Sequence, residues 1–133
     1  MLAIMMGLTL QASERPAYVT DDGWTYRGAS GAYASMLFTR QGPTPKTVWV
    51  RYEFKANSHP TRSLRHLEEA NCETGQSRVV QQTDFLSPNL TGQSQETLTP
   101  RPWSYPAPGT FGEVVYTAIC SPWDLDPIVP TAD

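Results

Sequence analysis

Residues Thr47–Phe54 read T-V-W-V-R-Y-E-F. Val48, Val50, Tyr52 and Phe54 share one parity, and Trp49, Arg51 and Glu53 share the other. Alternation carried by β-branched and aromatic residues is the period-2 pattern of a half-buried strand. It places Val48, Val50, Tyr52 and Phe54 on the core-facing side of a sheet, with Trp49, Arg51 and Glu53 on the opposite side.

Turn signals bracket this strand. Gln41–Pro45 contains Gly42, Pro43 and Pro45, and Lys55–Arg62 contains Asn57, Ser58, His59 and Pro60. Upstream, Ala17–Thr20 is a short β-prone run before the turn Asp21-Asp22-Gly23. Trp24–Tyr26 follows, then a glycine-rich break at Gly28–Gly31 and an apolar, strand-like run at Tyr33–Thr39. Downstream, Ser63–Cys72 carries Leu64, Leu67 and Ala70 at a spacing of three, which suits a helix. Glu73–Ser77 reads as a turn around Gly75, and Arg78–Leu86, with Val79, Val80 and Thr83, as a strand. After a turn at Ser87–Gly92, Gln93–Thr99 is a polar, β-permissive strand at or near an edge. Arg101–Gly109 carries Pro102, Pro106 and Pro108 and cannot lie inside a regular sheet. Thr110–Ile119 is the helix of the chain. Thr110 and Glu113 form a T-x-x-E capping box, and Phe111, Val114, Val115, Ala118 and Ile119 make an apolar stripe at helical spacing. Cys120 closes the helix and Ser121-Pro122 stops it.

The 133 residues suit one domain. Charged residues make up 17%, below the roughly 25% usual for soluble domains, and 12 prolines and 9 glycines favour strands and turns over long helices. With a net charge of −3 and no basic stripe, nucleic acid is a poor partner. No apolar run approaches the roughly 20 residues of a membrane-spanning helix. Met1–Leu10, MLAIMMGLTL, followed by Gln11-Ala12-Ser13, has the apolar core and small residues of a secretory signal. The positive n-region is missing, as a start codon placed too late would explain; a buried or irregular N-terminal segment is the competing reading. Residues 1–13 are therefore expected to be signal-like, 14–121 a single domain and 122–133 an irregular proline-rich tail. The two cysteines, Cys72 and Cys120, read as a disulfide in an exported protein and as reduced, buried thiols in a cytosolic one. They lack the C-x-x-C spacing of redox or zinc sites.

The order of features resembles the surface-adhesin protein E-like family of bacterial envelope proteins. The resemblance is carried by V-W-V at Val48–Val50, S-L-R-H-L-E-E-A-N-C at Ser63–Cys72 and R-V-V-Q-Q at Arg78–Gln82. The block P-W-S-Y-P-A-P-G-T before a helix ending in Cys, Pro102–Cys120, completes it. It spans about Tyr33 to Cys120. It implies an α+β fold: an antiparallel β-sheet of about six strands with one C-terminal helix packed on it, tied by the Cys72–Cys120 disulfide, and Ser63–Cys72 as a strand. It also implies a protein partner, from the host matrix or the envelope, a location in the periplasm, outer membrane or outside the cell, and the capacity to form a homodimer. No cysteine falls within Met1–Ser13 to carry the lipid anchor of the founding adhesin.

Catalytic constellations are sparse. Ser63, His66 and Glu69 combine on paper, but triads are recognised by geometry, and no G-x-S-x-G elbow is present. His66, Glu68 and Cys72 lack metal-site spacing, and no cofactor is implied. Glu68 and Glu69 would point to opposite faces of a strand. Asn89-Leu90-Thr91 matches a glycosylation sequon but reads as a turn. Trp103 and Tyr105 sit between prolines, where aromatics can anchor a partner at low entropic cost; filling the gap between helix and sheet is the competing role for Trp103. Trp24 is the third candidate contact residue. The expected function is an exported, binding or adhesin-like module. A structural accessory domain without its own ligand is the alternative, and a small hydrolytic enzyme is the third reading.

Overall fold

The computed structural model describes residues 15–31 and 34–125. Six strands form one antiparallel sheet in sequence order: β1 (Thr25–Ser30), β2 (Ser35–Gln41), β3 (Thr47–Phe54), β4 (Ser63–Asn71), β5 (Gln76–Ser87) and β6 (Thr91–Thr97). Helix α1 (Phe111–Cys120) follows, then a single 3-10 turn, Pro122–Asp124. Short turns join strands that are neighbours in both sequence and space, the simplest antiparallel topology.

Helix α1 covers one face of this sheet. Val115 is fully buried there with Leu37, Val48 and Val50, while Phe111, Val114, Ile119 and Tyr52 pack around them. The Thr110 side chain caps the helix by accepting from the Glu113 N–H at 3.4 Å. Glu113 reaches back one residue further than the capping box requires, accepting the Gly109 N–H at 2.8 Å. The Cys72–Cys120 disulfide joins the residue after β4 to the last residue of α1.

The opposite face is also buried, which corrects the half-buried reading of β3. Val19, Trp24, Tyr26, Ala29, Met36 and Phe38 form a second core there, with Trp49 and Leu90 against it. Arg51 and Glu53, on this side of β3, are only 2% and 1% exposed. They are tolerated because they are paired, Arg51 Nε to Glu53 Oε2 at 2.7 Å, and because Asn89 completes their hydrogen bonding. Burial pushes the Glu53 carboxyl above its ordinary range, opposed by the Asn89 N–H and by Arg51. Asn89 sits in the left-handed region, φ 62°, which asparagine tolerates better than most residues.

Two coverings explain two further departures from the periodicity. Ser63–Asn71 is a strand although its leucines are three apart, because apolar residues can occupy either parity when both faces are covered. Leu67 lies opposite Trp49 on the second-core side, whereas Leu64 lies opposite Tyr52 on the helix side. The Gly28–Gly31 stretch does not break the chain: β1 runs through Gly28, and the register slips between Tyr26 and Gly28 in a bulge that absorbs one residue. The signal-like reading of residues 1–13 and most of the tail, residues 126–133, lie outside the described residues.

Candidate functional site

Strand β5 is longer than its neighbour. Gln82–Ser87 pair with β6, which leaves the first part of β5 to another partner. The proline-rich segment after β6 takes that place: the Arg101 N–H donates to the Val79 carbonyl at 2.9 Å, and Ser77 and Ser104 exchange bonds of 2.9 and 3.0 Å. Pro102, which has no N–H to give, lies between these contacts. The segment is irregular but stapled to the sheet.

This staple fixes two aromatic side chains. The Arg78 guanidinium lies 4.6 Å from the Trp103 ring centroid, and Arg78 Nε is 3.1 Å from Glu69 Oε1. Glu69, Arg78 and Trp103 thus form a stack in which the carboxylate holds the guanidinium and the guanidinium holds the indole. Trp103 is 36% exposed, with its ring against the Arg78 guanidinium. Tyr105 is 70% exposed and lies beside the turn at Gly75, where a Cβ would stand 3.8 Å from its ring. Both rings are presented to solvent by backbone that is already ordered.

Trp24 is elsewhere. It is 7% exposed, packed in the second core beneath the Arg40 guanidinium at 4.5 Å, so its ring offers no contact surface. Exposed Leu98 and Trp123 were not singled out by sequence, because an isolated leucine beside prolines or a tryptophan in a tail carries no periodicity. Trp123 follows Pro122, which lines an open cleft of about 440 Å³ between the β2–β3 turn (Pro43, Pro45) and the helix end (Ala118, Ile119).

The polar groups of β4 sort by face. His66 and Glu68 point under the helix and hydrogen-bond at 2.8 Å, both buried, with the His66 ring 6.0 Å from that of Tyr52. Burial, and second the Glu68 charge, push the Tyr52 phenol above its ordinary range. Ser63 belongs to the other parity; its hydroxyl donates to the Ser87 carbonyl at 2.7 Å and accepts the Leu90 N–H at 2.9 Å. Ser63 and Glu69 are therefore separated from His66 by the thickness of the strand, and the three do not assemble. Glu68 and Glu69 likewise diverge, one to His66 and the other to Arg78. Cys72 is bonded to Cys120 and offers no thiolate to a metal.

The sequence profile of surface-adhesin protein E matches residues 28–121. The chain belongs to the surface-adhesin protein E family. The match runs from Gly28 in β1 to Ser121 just past the disulfide, so the family's unit includes β2–β6, the stapled proline-rich segment and the docked helix. No curated protein and no solved structure matches the chain. Among the described residues, no helix of this adhesin-family protein is long and apolar enough to cross a membrane.

Proposed function

We propose that this protein is an exported envelope module that binds a protein partner, from the host matrix or the envelope, through the surface presented by Trp103 and Tyr105. The observation that carries the reading is the Glu69–Arg78–Trp103 stack on a segment hydrogen-bonded to β5. Interface hot spots are enriched in Trp, Tyr and Arg, and anchors that are already ordered lose little entropy on binding. Here a rigid scaffold holds all three residue types at one place. Membership of an adhesin family agrees with a binding role rather than a catalytic one. The buried His66–Glu68 pair has its partners on the structural side of the sheet, under the helix.

The reading is tested in the native host. The protein should fractionate with the envelope or the medium, with a mature N-terminus near Ser13 or Glu14. Deleting it should lower attachment of the cells to surfaces coated with extracellular-matrix protein or with the host's own envelope extract. Retention in the cytosol with intact Met1, and attachment equal to that of the parent strain, would overturn it.

A further inference from the structure

We propose that the free edge of β6 accepts an extended, basic segment of the partner as a seventh strand. The proposal rests on the binding-module reading above and names how the partner is held.

The backbone directions along β6 follow from hydrogen bonds on the far side of β5. The Phe85 carbonyl accepts the Arg62 N–H at 2.9 Å, on the β4 side. Successive residues of a strand direct their backbone groups to opposite sides, so Asp84 faces β6 and exchanges bonds with its register partner Gln95. Ser94 and Glu96 then direct their N–H and C=O groups away from the sheet, where the described residues provide no partner.

Sheet edges are ordinarily guarded by lysines, prolines, bulges or inward-pointing charges. Thr91–Thr97, T-G-Q-S-Q-E-T, has no lysine and no proline, and every residue is exposed. Both edges carry a bulge, β1 between Tyr26 and Gly28 and β6 opposite Leu86, where the register shifts between Phe85 and Ser87, so the regular open stretch of β6 is Ser94–Thr97. Guarding resumes beyond β6 at Pro100 and Pro102. The open stretch is thus confined to one short strand that continues directly into the segment bearing Trp103 and Tyr105.

Side-chain chemistry selects the occupant. An open cleft of about 430 Å³ flanks β6 and is lined by Pro60, Thr61, Asp84, Leu86, Gln93 and Gln95, with Ser94 at its rim. An added strand would direct alternate side chains into it, past exposed Leu86 and the Asp84 carboxylate. Glu96, whose register partner is Thr83, lies on the opposite face of β6 from Gln95 and the Asp84 cleft, and neither Asp84 nor Glu96 has an ion-pair partner among the described residues. The edge therefore combines unpaired backbone with a free carboxylate at Glu96 on one face and the cleft beside Leu86 on the other, which fits an extended segment carrying lysine or arginine toward Glu96 and apolar residues toward the cleft, and disfavours an acidic one.

The test is a titration of ¹⁵N-labelled protein with the blocked peptide Thr-Lys-Val-Lys-Val-Lys-Thr, with Thr-Glu-Val-Glu-Val-Glu-Thr as the control. The basic peptide should slow hydrogen exchange at the Ser94 and Glu96 amides and bind at least tenfold more tightly than the acidic one. Glu96→Lys, which leaves the backbone of an exposed edge intact, should weaken the basic peptide at least fivefold without changing the fold. Glu96→Pro should abolish the protection; should it fail to fold, Glu96→Lys still decides. Equal binding of both peptides, protection elsewhere on the protein, or concentration-dependent protection without peptide (a second copy on the edge) would overturn the proposal. If the basic peptide fails while loss of Trp103 still abolishes partner binding, strand addition falls and the binding-module reading stands.

Discussion

The backbone N–H of Asn89 donates to both carboxylate oxygens of Glu53, at 3.0 and 3.1 Å, across 36 residues of sequence. The Asn89 side chain accepts from Arg51 Nη2 at 2.7 Å and from the Thr20 N–H at 3.1 Å, and donates to the Tyr18 carbonyl at 2.8 Å. One turn residue thereby ties the β5–β6 hairpin, the centre of β3 and the N-terminal segment into one polar network that runs from the buried Arg51–Glu53 pair to the surface.

Breaking this network from the acid side should be expensive. Glu53→Ala leaves the Arg51 guanidinium buried without its carboxylate, and losing one partner of a buried pair costs about 3–5 kcal/mol. Urea melts should show the loss as a lower midpoint. A shift no larger than that of an exposed control such as Lys46→Ala, under about 0.5 kcal/mol, would mean that Arg51 finds another anion.

Phe111 tests the helix side. Its ring sits 6.0 Å from that of Tyr52, but it is half-buried, and Val115 is the residue of α1 that is fully buried. Phe111→Ala should therefore cost about 2–3 kcal/mol, below the 3–5 kcal/mol of a fully enclosed phenylalanine. A melt like that of Lys46→Ala would show that this face does not dock the helix.

The disulfide closes a sequence separation of 48 residues. On the chain-entropy account this constraint stabilises the fold by about 4 kcal/mol. Thiol titration of denatured, unreduced protein should find no free thiol, and Cys72→Ser/Cys120→Ser should melt at markedly lower urea. Two free thiols would contradict the pairing.

Alkaline pH should weaken the fold through Tyr52. Its phenol is held above the ordinary range first by burial and second by Glu68. An unfolded tyrosine ionises near pH ~10, so the native state keeps a proton that the unfolded state releases. The associated stability is present below that pH and is lost as pH rises beyond it. The fall in urea midpoint above pH ~10 should be shallower in Tyr52→Phe; an identical slope in both proteins would refute this assignment.

The helix face of the sheet was legible in the sequence because its signals are local. The alternation in Thr47–Phe54, the cap at Thr110 and the stripe through Val115 all lie within single elements. The second core was not, because its pieces are scattered: Val19, Trp24, Met36 and Leu90 meet only when the sheet is complete. Arg51 and Glu53 look like solvent-facing residues from their parity alone, and only Asn89, far along the chain, makes their burial affordable. The same reason separates Trp24 from Trp103. All aromatics look alike in sequence, whereas exposure depends on which segment lies above the ring. The Pro-X-Pro character of Arg101–Gly109 correctly indicated a stiff segment, but its pairing with Ser77 and Val79 depends on β5 outrunning β6.

The central claim is that Trp103 and Tyr105 anchor a protein partner. The most direct measurement compares binding of the wild-type protein and of Trp103→Ala/Tyr105→Ala to surfaces coated with extracellular-matrix protein or envelope extract, with urea melts of both proteins alongside. Truncating two hot-spot aromatics should weaken binding at least tenfold, about 1.4 kcal/mol or more, while the melt should shift by no more than about 1 kcal/mol for the lost Arg78–Trp103 contact. Equal binding by the two proteins would contradict the account.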